Sequence, residues 1–171
     1  MDTIAFWPTV AVLTVATFTD IRGRRIPNWL VVPFMISGMI TGAVTGGLEG
    51  IGRSLMGMVL AGMVGGLFAY LRAMGMGDVK LLLGVGAWVG PGQLGWALLA
   101  TAMAGGFLAI GYALWHRSLG RCLDGVADVV AGFRRRGLRP DPVVSLDNPA
   151  ALRMPYAGAI ALGTLFSFFA R

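Results

Sequence analysis

Five uncharged runs limit what this chain can fold into. Residues 3–19, 26–48, 54–71, 81–116 and 154–170 contain no Asp, Glu, Lys or Arg. A membrane-crossing helix needs roughly 17–25 apolar residues. Four of the runs are of that order. The fourth run, 81–116, is too long for one helix, and Gly90-Pro91-Gly92 interrupts it. The pattern predicts an all-α integral membrane protein with about six transmembrane helices, in a single membrane-embedded domain over residues 1–171. Strand-period alternation is absent, which argues against a membrane β-barrel. Only 13% of the residues are charged, against about 25% in a soluble domain.

The first run has no basic region before it and no small-residue cleavage motif after it, so it is expected to be a retained helix rather than a signal peptide. Lys and Arg set the orientation. With the N-terminus outside, the inner segments 20–28, 72–80 and 116–153 hold twelve of the fourteen basic residues, and Arg53 and Arg171 remain outside. This asymmetry, rather than a nucleic-acid surface, accounts for the net charge of +6. It predicts a multi-pass protein of the inner membrane. Within 116–153, Leu119, Cys122, Leu123, Val126, Val130 and Phe133 recur at helical spacing. They predict an amphipathic cytoplasmic helix on the inner leaflet, with Arg134, Arg135 and Arg136 against anionic lipid.

Acids are scarce, and two of them stand beside apolar runs. Asp20 opens Asp20-Ile21-Arg22-Gly23-Arg24-Arg25-Ile26-Pro27-Asn28, and Asp78 lies in Gly75-Met76-Gly77-Asp78-Val79-Lys80. A carboxylate at a membrane segment is costly and marks a functional site by default. The predicted topology puts both at one face. Two carboxylates close together share one proton, so one can take a proton from water while the other polarises a carbonyl. That is the chemistry of an aspartyl protease. The helix ends would make Asp78, at the start of a helix, the base, and Asp20, after the end of one, the acid.

Neighbouring residues shape this site. Gly75 and Gly77 remove side chains around Asp78 and would let a substrate strand approach. Pro27 disfavours helix at Ile26 and fixes a turn. Lys80 is placed to influence the field of the pair or to meet lipid. From Val79 to Val89 the fourth helix would rise only about 16 Å, so either the outer turn dips into the membrane or the helix starts below the surface, and the second option would sink Asp78 into a cavity. One His and one Cys cannot build a usual zinc site, so neither metal nor cofactor is expected.

The two Asp-bearing stretches resemble the signatures of type IV prepilin peptidases, the GxGD aspartyl proteases. The tail Met154-Pro155-Tyr156-Ala157-Gly158-Ala159-Ile160-Ala161-Leu162-Gly163 resembles their C-terminal proline-containing helix. The resemblance implies catalysis by Asp20 and Asp78, with Asn28 and Pro155 as further residues of the site. It implies a substrate that is a prepilin or pseudopilin precursor, cut after a short basic leader at the cytoplasmic side. Larger members carry an N-terminal insert with paired CxxC motifs and also N-methylate the product. This sequence has neither feature and is similar to the short, peptidase-only members that serve Flp/Tad pili. It reads Ala157-Gly158 where many relatives have Gly-Pro. A small transporter or channel using the two acids as an ion site, a signal-peptide-peptidase-like protease, and an assembly subunit whose acids only cap helices beside Arg22 or Lys80 are the competing readings.

Overall fold

The computed structural model describes residues 2–72, 74–115 and 156–170. They form helices α1 (Asp2–Gly23), α2 (Asn28–Tyr70), α3 (Met76–Trp115) and α4 (Ala157–Phe169). The first three are long and apolar enough to cross a membrane, and the described residues are otherwise turns and short connections. The expected all-α membrane architecture stands at this level. The amphipathic helix, Arg134, Arg135, Arg136 and Pro155 lie outside the described residues.

Both long helices are folded back on themselves at one glycine. In α2 the break is Gly47, at φ +56°, and in α3 it is Gly90, at φ +72°. Both angles fall in the left-handed region, which glycine enters at no steric cost. A straight helix would separate Gly42 from Gly50 by about 12 Å, yet a Cβ on Gly50 would run into the Gly42 carbonyl. The limbs 28–46 and 48–70 therefore lie side by side. Limb 91–115 likewise returns alongside 76–89: Gly105 packs on Tyr156, the neighbour of the residue that bonds to Asp20. Pro91 opens the returning limb, where its missing N–H costs nothing.

Limb 76–89 is the axis of the bundle. Leu81, Leu82, Val85, Ala87 and Val89 are all buried. With no water to drive helices together in lipid, close approach depends on small side chains. Gly86 meets the Gly57 backbone, Gly84 lies under the Phe34 ring, and Gly65 faces Val79. The pairs 57–86 and 65–79 make limb 48–70 antiparallel to the axis, whereas Phe34–Gly84 and Gly38–Trp88 make limb 28–46 parallel to it. The Trp88 indole stacks on Phe34 and donates to its carbonyl at 2.8 Å. Helix α4 runs antiparallel to both limb 91–115, through Gln93–Ser167 and Thr101–Gly163, and α1, through Phe6–Phe168. By contrast, Leu55, Met56, Val59 and Met63 on limb 48–70 point outward.

Several expected boundaries move. The sequence suggests a link at 49–53, because Glu49 and Arg53 are charged. The chain instead turns at Gly47 alone, and both residues lie inside the following limb. The axial limb begins at Met76 rather than Val79 and rises about 21 Å. The break near Gly90 falls where expected. Helix α1 continues past Asp20 to Gly23, so Asp20 sits in its last turn and not beyond it.

Candidate active site

The ends of α1 and α2 and the starts of α2, α3 and α4 meet at one end of the bundle. An open cavity of about 310 Å³ lies there, lined by Asp20, Arg24, Arg25 and Ile26 from one stretch and Gly75, Met76, Gly77 and Asp78 from the other. Two segments about fifty residues apart in sequence therefore form the two walls of one cavity. Ile26 joins them: its side chain fills the space above Gly77, where a Cβ would come within 3.3 Å. The missing side chain of Gly77 is thus taken up by packing and is not left for a substrate. At Gly75 a Cβ would lie 3.3 Å from Asp78 Oδ2.

Asp20 is only 8% exposed. Its Oδ2 accepts a hydrogen bond from the Ala157 N–H at 3.2 Å. Ala157 is the first residue of α4, so that N–H has no partner within its own helix. Asp78 stands in the first turn of α3, and its N–H donates to the Gly75 carbonyl at 3.1 Å. Its Oδ1 is buried and accepts no hydrogen bond among the described residues. The cations that would serve mere helix caps are engaged elsewhere. The Arg22 guanidinium lies over the Phe18 ring, 4.7 Å from its centroid. Lys80 Nζ donates to Asn28 Oδ1 at 3.0 Å, which ties the start of α3 to the start of α2. Pro27, in extended conformation, caps α2 and offers its carbonyl to the Leu30 and Val31 N–H groups.

Sequence reasoning missed Ala157, because its contribution is a main-chain N–H that almost any residue would supply. It read Arg24 and Arg25 as orientation signals and as charges favouring ionised Asp20, and both line the cavity. Arg24 also has φ +49°, a conformation that costs a side-chain-bearing residue roughly 1–2 kcal/mol.

The sequence profile of the type IV leader peptidase family matches residues 7–110, a stretch that holds both aspartates, both glycine breaks and the whole axial limb. The chain belongs to that family. The prepilin leader peptidase/N-methyltransferase of Aeromonas hydrophila is 31% identical over 121 residues, covering 63% of this chain and 41% of that protein. The chain thus spans about two fifths of the length of the curated relative it matches. No solved structure gives a significant match. Family membership favours the peptidase reading over the ion-site alternative.

Proposed function

We propose that this leader peptidase family member is an intramembrane aspartyl endopeptidase, with Asp20 and Asp78 as its catalytic pair. It would remove the short basic leader of a prepilin or pseudopilin precursor, of the Flp type in the sequence reading. The observation that supports this most is the single cavity in which both carboxyls stand, Asp20 held by the Ala157 N–H and Asp78 by the Gly75 backbone, with Asp78 Oδ1 buried and without a donor among the described residues.

In the reaction, one carboxylate takes a proton from water as the oxygen attacks the scissile carbonyl carbon. The carboxyl of the other donates its proton to the carbonyl oxygen. The tetrahedral diol then collapses: the C–N bond breaks, the first carboxyl passes its proton to the leaving nitrogen, and a diol hydroxyl returns its proton to the second. Peptide plus water gives acid plus amine, and the pair is regenerated. Gly75 keeps the approach to Asp78 low. Lys80 and Asn28 hold the two walls together rather than touch the reacting atoms.

The finer topology belongs to the same proposal. Six helical limbs would cross the bacterial inner membrane, with the cavity at the cytoplasmic face. The support is the clustering of Arg22, Arg24, Arg25, Arg72 and Lys80 at the cavity end, against Arg53 at the other. Arg134, Arg135 and Arg136 would meet anionic lipid at the same face. Co-expression with candidate precursors, with the product read by mass, tests the function. Asp20→Asn and Asp78→Asn should each abolish cleavage in protein that remains in the membrane. Normal processing by either variant would refute the pair.

A further inference from the structure

The start of α4 belongs to no sequence signature that carries an acid, yet it touches Asp20. We propose that it is the third component of the site: the Ala157 N–H holds Asp20 as the member that takes the proton from water, and the shared proton rests on Asp78. This rests on the peptidase reading above and goes one step further, since it divides the labour within the pair.

The argument is one of competing magnitudes. Helix ends alone give the opposite assignment, with Asp78 as the base, because Asp78 lies in the first turn of α3. Such an end effect is typically about 0.3–1 kcal/mol. A direct hydrogen bond from an N–H to a charged group contributes about 1.5–3 kcal/mol, and Asp20 has one, at 3.2 Å, in a buried setting. Asp20 also meets a helix start of its own, since α4 points its first turn at it. Asp78 has a backbone hydrogen bond of its own, from Gly75, so the bonds offset each other and the difference lies in its second oxygen: Oδ1 is buried with no donor among the described residues. A buried carboxylate oxygen left without a donor is costly, whereas a protonated carboxyl is itself a donor and needs an acceptor. The scissile carbonyl of a bound peptide would be that acceptor. Ala157 contributes no side chain to the chemistry and acts through Asp20, so it is a positioning residue.

The first position of a helix tolerates proline, because its N–H is unused by the helix. Ala157→Pro therefore removes the bond to Asp20 while preserving a helix start. Gly158→Pro is its control: it places the same ring one residue later and leaves the Ala157 N–H in place. A Cβ at Gly158 meets only the Thr17 methyl, at 3.7 Å. Both variants strain the residue before the proline in the same way.

Both are to be compared in proteoliposomes with a precursor peptide. Ala157→Pro should lower kcat by about 10- to 100-fold with KM unchanged, and the acid limb of its kcat–pH profile should move to higher pH. Gly158→Pro should keep most of kcat and an unmoved profile. The titratable and charged groups around Asp20 are Asp78 from α3, Arg24 and Arg25 from the connecting loop, and Tyr156, whose phenol is within electrostatic reach of Asp78. All are retained in both variants, so a profile shift confined to Ala157→Pro reports the lost bond. Equal effects of the two prolines, or an unmoved profile in Ala157→Pro, would overturn the proposal. Infrared spectra give a second readout that needs no turnover. The C=O band of a protonated carboxyl should vanish in Asp78→Asn and persist in Asp20→Asn, and the reverse would overturn the assignment. Cleavage by both Asn variants would sink the peptidase reading itself. Inactivity of both, with an unaffected Ala157→Pro, would sink only this inference.

Discussion

The two ends of the bundle reverse the chain in different ways. At the end away from the acids, α2 and α3 each turn on one glycine in the left-handed region, Gly47 and Gly90. At the acid end, α1 and α2 finish on arginines in the same region, Arg24 at φ +49° and Arg72 at φ +56°. The sign of φ is shared and the residue chosen is opposite; ψ of −137° at Gly47 and 177° at Gly90 holds the glycines outside the left-handed helical basin that side chains can enter. Glycine adopts positive φ without strain, so the glycine end is built for tight closure. Arginine adopts it at roughly 1–2 kcal/mol each, and at Arg24 the strained residue is a cation that lines the cavity. Residues held in sparsely populated conformations concentrate at functional sites, and the strained end is the one that holds Asp20 and Asp78.

Substitutions at the two ends should therefore separate activity from stability. The largest effect belongs to the acid end: Asp20→Asn and Asp78→Asn should each lower cleavage by at least about 10²–10⁴-fold. Thermal unfolding in detergent should change little. A large fall in stability would mean that the pair is chiefly structural. Next come Gly90→Ala and Gly47→Ala, which should destabilise by about 1–3 kcal/mol through the positive-φ backbone alone. Gly90→Ala should be the worse, because its Cβ would come within 2.8 Å of Arg53 Cγ, whereas Gly47 has open space. Equal melting temperatures for wild type and both variants would show that the breaks do not require glycine.

The mirror-image change, Arg24→Gly, should stabilise by up to about 1 kcal/mol, the relief of strain less the entropy that glycine brings to the unfolded chain. It should also impair cleavage, since it removes a cation that lines the cavity. A destabilised Arg24→Gly variant would break the comparison. The smallest effect is that of Lys80→Met. It loses one exposed hydrogen bond to Asn28, worth about 0.5–1.5 kcal/mol. Its precursor cleavage should fall only modestly if Lys80 joins walls rather than serving the acids. A loss as large as that of Asp78→Asn would put Lys80 at the reacting atoms.

Much of this was legible in the sequence, because lipid makes charge expensive and so makes every retained acid conspicuous. Asp20 and Asp78 stood out for that reason, and Gly90-Pro91-Gly92 announced its break. The turn at Gly47 was hidden among Gly42, Gly46, Gly50 and Gly52, where no single glycine is distinguished by spacing. Charge misled at the same place. Glu49 and Arg53 look like residues of a loop outside the bundle, yet they belong to the first turns of limb 48–70. The close backbone approach of Gly57 to Gly86 unites residues from different helices, and spacing within either one does not reveal it. The Ala157 contact was the least legible of all. A main-chain N–H is common to nearly every residue, so its use by Asp20 appears only once α4 has been packed against α1.

The one-residue reversal at Gly47 also fixes a parity. Between Asp20 and Asp78 the chain travels the length of the bundle once out and once back, so the two acids finish at the same end by count alone. Their meeting owes nothing to which compartment that end faces. Turning the whole molecule over would preserve the pair intact and change only the supply of peptides offered to it. The distribution of arginines would thus select the compartment served, while the single turn at Gly47 brings the pair together whichever compartment that is.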